Sequence, residues 1–123
     1  MKYRTKEEQI PDSIEDREIV KEICEYFRED PHGFEKWAAE LFLLLDRNAV
    51  SYDLTRPWVD GDRDAIGKYR IGLDSNAVSV EFALEAKCYQ LNGAVGVSST
   101  SRLISRLRYR QFGVLVTTSF VHH

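Results

Sequence analysis

The sequence predicts an α/β domain: a mixed central β-sheet of about four strands flanked by helices, in the order α-α-β-β-β-α-β. Three observations lead there. Two segments of the first half repeat apolar residues at helical spacing. "VSVEFALEAK" (78–87) alternates strictly between apolar and polar residues, the period of a strand. "GVLVTT" (113–118) is short and wholly apolar, as in strands buried on both faces and paired in parallel. Helices laid against a sheet bury both kinds of apolar face at once.

Residues 1–12 read as a flexible N-terminal tail, and residues 13–123 as a single domain with its core at about 33–121. Ser13 is placed to cap a first helix, with Asp16 three residues on and Ile19, Ile23, Tyr26 and Phe27 at helical spacing. "DPHG" (30–33) reads as its break. "FEKWAAELFLLLD" (34–46) is a second helix with Phe34, Trp37, Ala38, Leu41, Leu44 and Leu45 on its apolar face. "AVSYDLTRPW" (49–58) is a strand that Pro57 ends or confines to an edge. "VDGDRD" is a turn, "AIGKYRIG" extends again, and "LDSNA" turns into 78–87. After the loop "NGAVG", residues 98–112 space Leu103, Ile104 and Leu107 as a helix, and the apolar strand follows.

Composition narrows the function. With 43% hydrophobic and 30% charged residues, the 123-residue chain is globular rather than disordered. No apolar run reaches the roughly 20 residues of a membrane helix, and the polar start lacks a signal peptide's apolar segment. The expected setting is the cytoplasm, with no membrane partner. Cys24 and Cys88, far apart in sequence, read as reduced thiols. Three His and two distant Cys do not make a zinc set, and no phosphate-binding or dinucleotide fingerprint is present. The net charge of −3 is uneven. Residues 1–62 carry 9 Lys/Arg against 16 Asp/Glu, whereas residues 63–123 carry 8 against 4, leaving the second half able to offer one anion-binding face.

The candidate chemistry lies on a hairpin. If Ile71 faces Val78, then Lys68 faces Glu81, Asp64 faces Glu85, and Ala65, Gly67 and Tyr69 meet Leu84, Phe82 and Val80 on the reverse face. One register satisfies both the apolar face and the charges, and a one-residue slip loses both. Directly opposed side chains have Cβ atoms about 4.5–5.5 Å apart, so two carboxylates there repel unless a cation or a proton lies between them. Lys87 falls two residues beyond Glu85, on the same face. Two carboxylates suit a hard cation such as Mg²⁺, and an ammonium beside them suits the charge that develops when a phosphodiester is hydrolysed. The plain alternative is that all three are surface charges. Against it, Lys87 alone of six lysines has an acidic residue two positions before it, and Asp60, Asp62 and Asp64 crowd a strand entrance.

At these residues the sequence resembles the PD-(D/E)XK nuclease superfamily, and within it the Mrr-like restriction endonucleases. "DGDRDAIG" (60–67) and "LEAKCY" (84–89) carry the motif, "FEKWAAELF" resembles the family's leading helix, and "RQFGVLVTT" its helix-to-strand step. The resemblance implies a restriction-endonuclease-like fold and an Mg²⁺-dependent endodeoxyribonuclease, with Mn²⁺ as a substitute. It implies Asp64 and Glu85 as metal ligands and Lys87 as the catalytic lysine. Glu35 matches an acidic position that some members use as an extra ligand or support; its alternative is an exposed residue favoured by the helix dipole. Two departures stand out: Asp60-Gly61-Asp62 replaces the usual Asp-Gly-Gly, and the match stops at "TTSFVHH", as in a shortened catalytic core, with His122 and His123 either native or a tag remnant.

Arg102, Arg106 and Arg110 recur every fourth residue and so share a helical face, suited to the phosphates of double-stranded DNA or, alternatively, to the acidic N-terminal helices. Cutting two strands calls for two active sites, hence the expectation of a homodimer, and the resemblance implies a separate DNA-recognition domain or subunit. Two readings compete with the nuclease: a catalytically inactive nuclease-fold protein that binds DNA or a partner, and a small α/β interaction protein.

Overall fold

A computed structural model of the chain describes residues 4–54, 65–89, 93–96, 104 and 110–121. Three helices come first: α1 (Lys6–Gln9), α2 (Ile14–Tyr26) and α3 (Pro31–Leu45). The strands are β1 (Ala49–Leu54), β2 (Ala65–Ile71), β3 (Val78–Lys87), β4 (Ala94–Val95), β5 (Phe112–Thr117) and β6 (Phe120–Val121). Four of them form a sheet in the order β1-β2-β3-β5, antiparallel except for the parallel β3–β5 pair; β4 and β6 form a small second sheet. The mixed four-stranded sheet expected from the sequence is therefore present. No helix among the described residues is long and apolar enough to cross a membrane.

The hairpin register is the predicted one, from Ile71↔Val78 to Ala65↔Leu84, with Lys68 opposite Glu81. Gly72, at φ 104°, makes the turn after β2, in a region that L side chains rarely enter. Phe82, Leu84, Ala86 and Ala65 pack under Phe34, Ala38 and Ala39 of α3 to form the core. Gly67 is where the sheet leaves no room: a Cβ there would collide with the Phe82 ring and lie 2.6 Å from the Ser51 carbonyl oxygen. Gly67→Ala is therefore expected to destabilise the chain by about 1–3 kcal/mol, read as a lower urea midpoint at unchanged slope.

Several elements differ from expectation. "DPHG" starts a helix rather than ending one: the Asp30 side chain accepts a hydrogen bond from the Gly33 amide at 2.9 Å, and Pro31 takes the first helical position, where its missing N–H costs nothing. The buried face of α3 runs through Phe34, Glu35, Ala38 and Ala39, with Phe42 packed beside it, while Leu44 is 83% exposed and Leu45 is also exposed. Ile23 of α2 and its cap residue Phe27 reach the core, but Ile19 and Tyr26 stay outside. Within the expected tail, Thr5 and Glu8 form a reciprocal capping box around α1. Gln9 then bonds both backbone groups of Val121, donating to its oxygen at 3.3 Å and accepting from its nitrogen at 2.9 Å. β5 begins one residue early and is half-buried throughout, because it pairs only with β3 among the described residues. Most of the helix expected at 98–112 lies outside the described residues, as do Pro57, Trp58 and the turn at 59–64.

Candidate active site

β3 and β5 run side by side in the same direction, with Glu85 opposite Leu115 and Lys87 opposite Thr117, so their carboxyl ends emerge together. In open α/β sheets the crevice beyond such ends is where ligands bind. Glu85 and Lys87 stand there on one face of β3, with Lys87 Nζ 3.6 Å from Glu85 Oε1. Glu85 is only 3% exposed. Burying a carboxylate costs several kcal/mol, and an adjacent cation seldom returns more than that. Stability is thus no reason to keep the pair, whereas charge development at a reaction centre is.

A cavity of ≈ 440 Å³ opens at this end. Cys24 of α2, Arg28 just beyond that helix, Glu35 of α3, and Lys87, Cys88 and Tyr89 at the end of β3 contribute to its wall. Glu35 is 7% exposed, because position 35 falls within the core-facing stripe of α3 rather than on its solvent side. The exposed alternative for Glu35 is thereby corrected. His32, one helical turn earlier, places Nδ1 3.4 Å from Glu35 Oε2.

The backbone beyond Lys87 is held by Thr118. Its amide donates to the Lys87 oxygen at 3.4 Å. Its hydroxyl accepts from the Tyr89 amide at 2.9 Å and donates to the Tyr89 oxygen at 2.5 Å. One side chain thus supplies the rungs that the ladder lacks where β3 leaves the sheet. The same hydroxyl lies 3.9 Å from Cys88 Sγ. The Cys88 thiol is pushed up to about 11 by burial first and by the Cys24 thiol second, with the Thr118 hydroxyl pulling the other way.

Of the expected site residues, the structure brings Glu85 and Lys87 together and places Glu35 on the same cavity as Lys87. Asp64, Arg102 and Arg106 lie outside the described residues. Arg110 is found in a bend rather than on a helix, its Nε buried and 3.8 Å from Glu81 Oε2. Among the described residues no three His, Cys, Asp or Glu side chains gather as a metal cluster. Sequence reasoning takes His32, after Pro31, for a loop residue, whereas it stands in the first turn of α3, and it passes over Thr118. The His-x-x-Glu spacing on a helix start was available for the first; nothing local marks the second, whose partners are some thirty residues away.

The restriction endonuclease family model Mrr_cat matches residues 27–123. The chain belongs to that restriction endonuclease family. Two solved structures share the Mrr_cat fold seen here. One is the DNA modification-dependent restriction endonuclease AspBHI, at 52% identity and a TM-score of 0.91, covering 99% of this chain and 32% of that one. The other is the MspJI restriction endonuclease in complex with a 27-mer oligonucleotide, at 27% identity and a TM-score of 0.76, covering 100% of this chain and 29% of that one. This chain therefore spans about a third of the length of the structures it matches. No curated protein matches it.

Proposed function

We propose that the chain is the catalytic domain of an Mg²⁺-dependent endodeoxyribonuclease that hydrolyses phosphodiester bonds of double-stranded DNA. The observation that carries this is the buried Glu85 carboxylate, 3.6 Å from the Lys87 ammonium at the carboxyl end of β3, in a chain of a restriction endonuclease family.

Glu85 and Asp64 would hold the cation. Asp64 adjoins Ala65, whose ladder partner Leu84 adjoins Glu85. Carboxylate oxygens are the hard donors Mg²⁺ prefers, and it commonly takes only one or two of them, the rest of its shell being water and phosphate. When bound, the cation supplies Lewis-acid polarisation of the phosphoryl oxygen. Lys87 places a fixed positive charge where negative charge builds on the phosphate, and the strand end holds it in position before substrate arrives. Glu35, buried at the same cavity, supports the site and can accept a proton or a hydrogen bond there. Arg102 and Arg106 contact DNA phosphates, and Arg110 joins them on exchanging Glu81 for a phosphate oxygen.

The complex of MspJI with a 27-mer oligonucleotide supports DNA as partner. Cleavage of both strands then calls for a second copy of the site, and a separate module would supply recognition. The two free cysteines fit the reducing cytoplasm.

Calorimetric titration tests the metal site directly. The wild-type chain should give saturable heat with Mg²⁺ or Mn²⁺, and Asp64→Asn should weaken binding by about tenfold or more, the loss of one charged ligand. Equal heats would remove the site. Wild-type inactivity on plasmid DNA across a range of both metals would leave the inactive, DNA-binding reading in its place.

A further inference from the structure

The two cysteines, 64 residues apart in sequence, meet in space beside the proposed catalytic lysine. Cys24 lies in the last turns of α2, and Cys88 directly follows Lys87. Cys88 Sγ lies 3.8 Å from the Cys24 carbonyl oxygen, and both residues line the same cavity. Both are half-buried, so the cavity gives small solutes access to them. They are the only cysteines in the chain.

The structure assigns Cys24 and Cys88 as an oxidisable dithiol, a modification site for peroxide whose closure switches off the Lys87 site. The regulatory half of this inference rests on the nuclease reading above; the chemical half does not.

The chemistry is complete with hydrogen peroxide as oxidant. The Cys24 sulfur attacks one peroxide oxygen, the O–O bond breaks, and water leaves, giving a sulfenic acid. The Cys88 sulfur then attacks that sulfur, the S–O bond breaks, and the S–S bond forms. The released hydroxide takes the Cys88 proton as a second water. Two thiols are oxidised by two electrons and one peroxide is reduced. Burial holds the Cys88 thiol above its ordinary range, so Cys24 is the sulfur that peroxide oxidises first, and the second step proceeds as Cys88 gives up its proton to the departing hydroxide.

The consequence follows from geometry. A disulfide holds its sulfurs at about 2.05 Å, far inside the contact distance of two unbonded thiols. Closing that gap draws the end of β3 toward α2 and strains the Thr118 hydroxyl's hold on Tyr89 and Cys88. Lys87, one residue away, moves with it, and a displacement near 1 Å can cost about 10²-fold in rate.

The purified chain is treated with hydrogen peroxide, quenched and divided. Thiol titration after denaturation should fall from two to none, and a non-reducing peptide map should show Cys24 joined to Cys88 within a monomer. Plasmid nicking should fall at least tenfold and return with dithiothreitol. Cys24→Ser should nick within twofold of wild type and resist peroxide. A map showing both thiols over-oxidised or linked between chains overturns the assignment. So does an intact Cys24–Cys88 link with nicking unchanged. Should the reduced chain never nick DNA, the nuclease reading fails and the peptide map alone decides the dithiol.

Discussion

Lys87→Ala is expected to lower the rate of DNA cleavage by about 10²–10³-fold, the usual loss when one preorganised electrostatic group is removed from a reaction centre. Stability should fall as well, because the substitution takes the ammonium from beside a buried carboxylate, so cleavage is compared at a temperature where both chains are folded. The methylene stem of an alanine-truncated lysine is lost, yet the backbone beyond it is still pinned by Thr118. Lys87→Arg is a sharper probe than it looks. Arginine keeps the charge but spreads it over a planar fork on a longer stem, so it should recover only part of the activity. The measurement is single-turnover cleavage under saturating enzyme, with thermal unfolding as the control for fold. Cleavage by Lys87→Ala within tenfold of wild type, at a temperature where both chains are folded, would remove the lysine from the chemistry.

Phe82→Ala should have the largest effect on stability. Phe82 is fully buried in the middle of β3, with its ring 5.1 Å from Phe42 edge-on and 5.6 Å from Phe112 in a stacked arrangement. It bridges α3 to β5 and roofs Gly67. Cutting the ring away leaves a void that the backbone of a central strand cannot collapse into, at a cost of about 3–5 kcal/mol. That is a large share of the roughly 5–15 kcal/mol that holds a domain together. The expected readout is a fall of roughly 10 °C or more in melting temperature, with loss of cleavage at temperatures where wild type still works. A shift of only a degree or two would mean that the site is far softer than its packing indicates.

How much of this was legible in the sequence depended on how many constraints acted on each segment. The β2–β3 register was fully readable, because Ala65, Gly67 and Tyr69 had to meet Leu84, Phe82 and Val80 while Lys68 met Glu81. Two independent requirements agreed on one alignment. The phase of α3 was not. "LFLLL" is apolar at every position, so periodicity could not say that Phe42 packs inward while Leu44 and Leu45 face out. That misphasing is also why Glu35 could pass for a surface residue. Pro31 was read by its power to end helices, though at a first helical position the same ring geometry starts one. The α1 capping box was written plainly as Thr5-Lys6-Glu7-Glu8, but a four-residue polar helix has no apolar face to announce it. Glu85 and Lys87 were found because alternation along a strand fixes their common side. The approach of Cys24 to Cys88 had no local signature at all, since only the packing of α2 against the end of β3 creates it.

The Gln9–Val121 bonds bring together positions 112 residues apart, so residues 9 and 121 are neighbours. A short engineered linker across that gap would allow circular permutation, with fresh ends cut into the exposed bend after β2. That bend lies at the far end of a ten-residue strand from Lys87, about 30 Å away. Protein engineers could therefore move the attachment points for fused modules to the pole opposite the reaction centre while leaving its architecture whole.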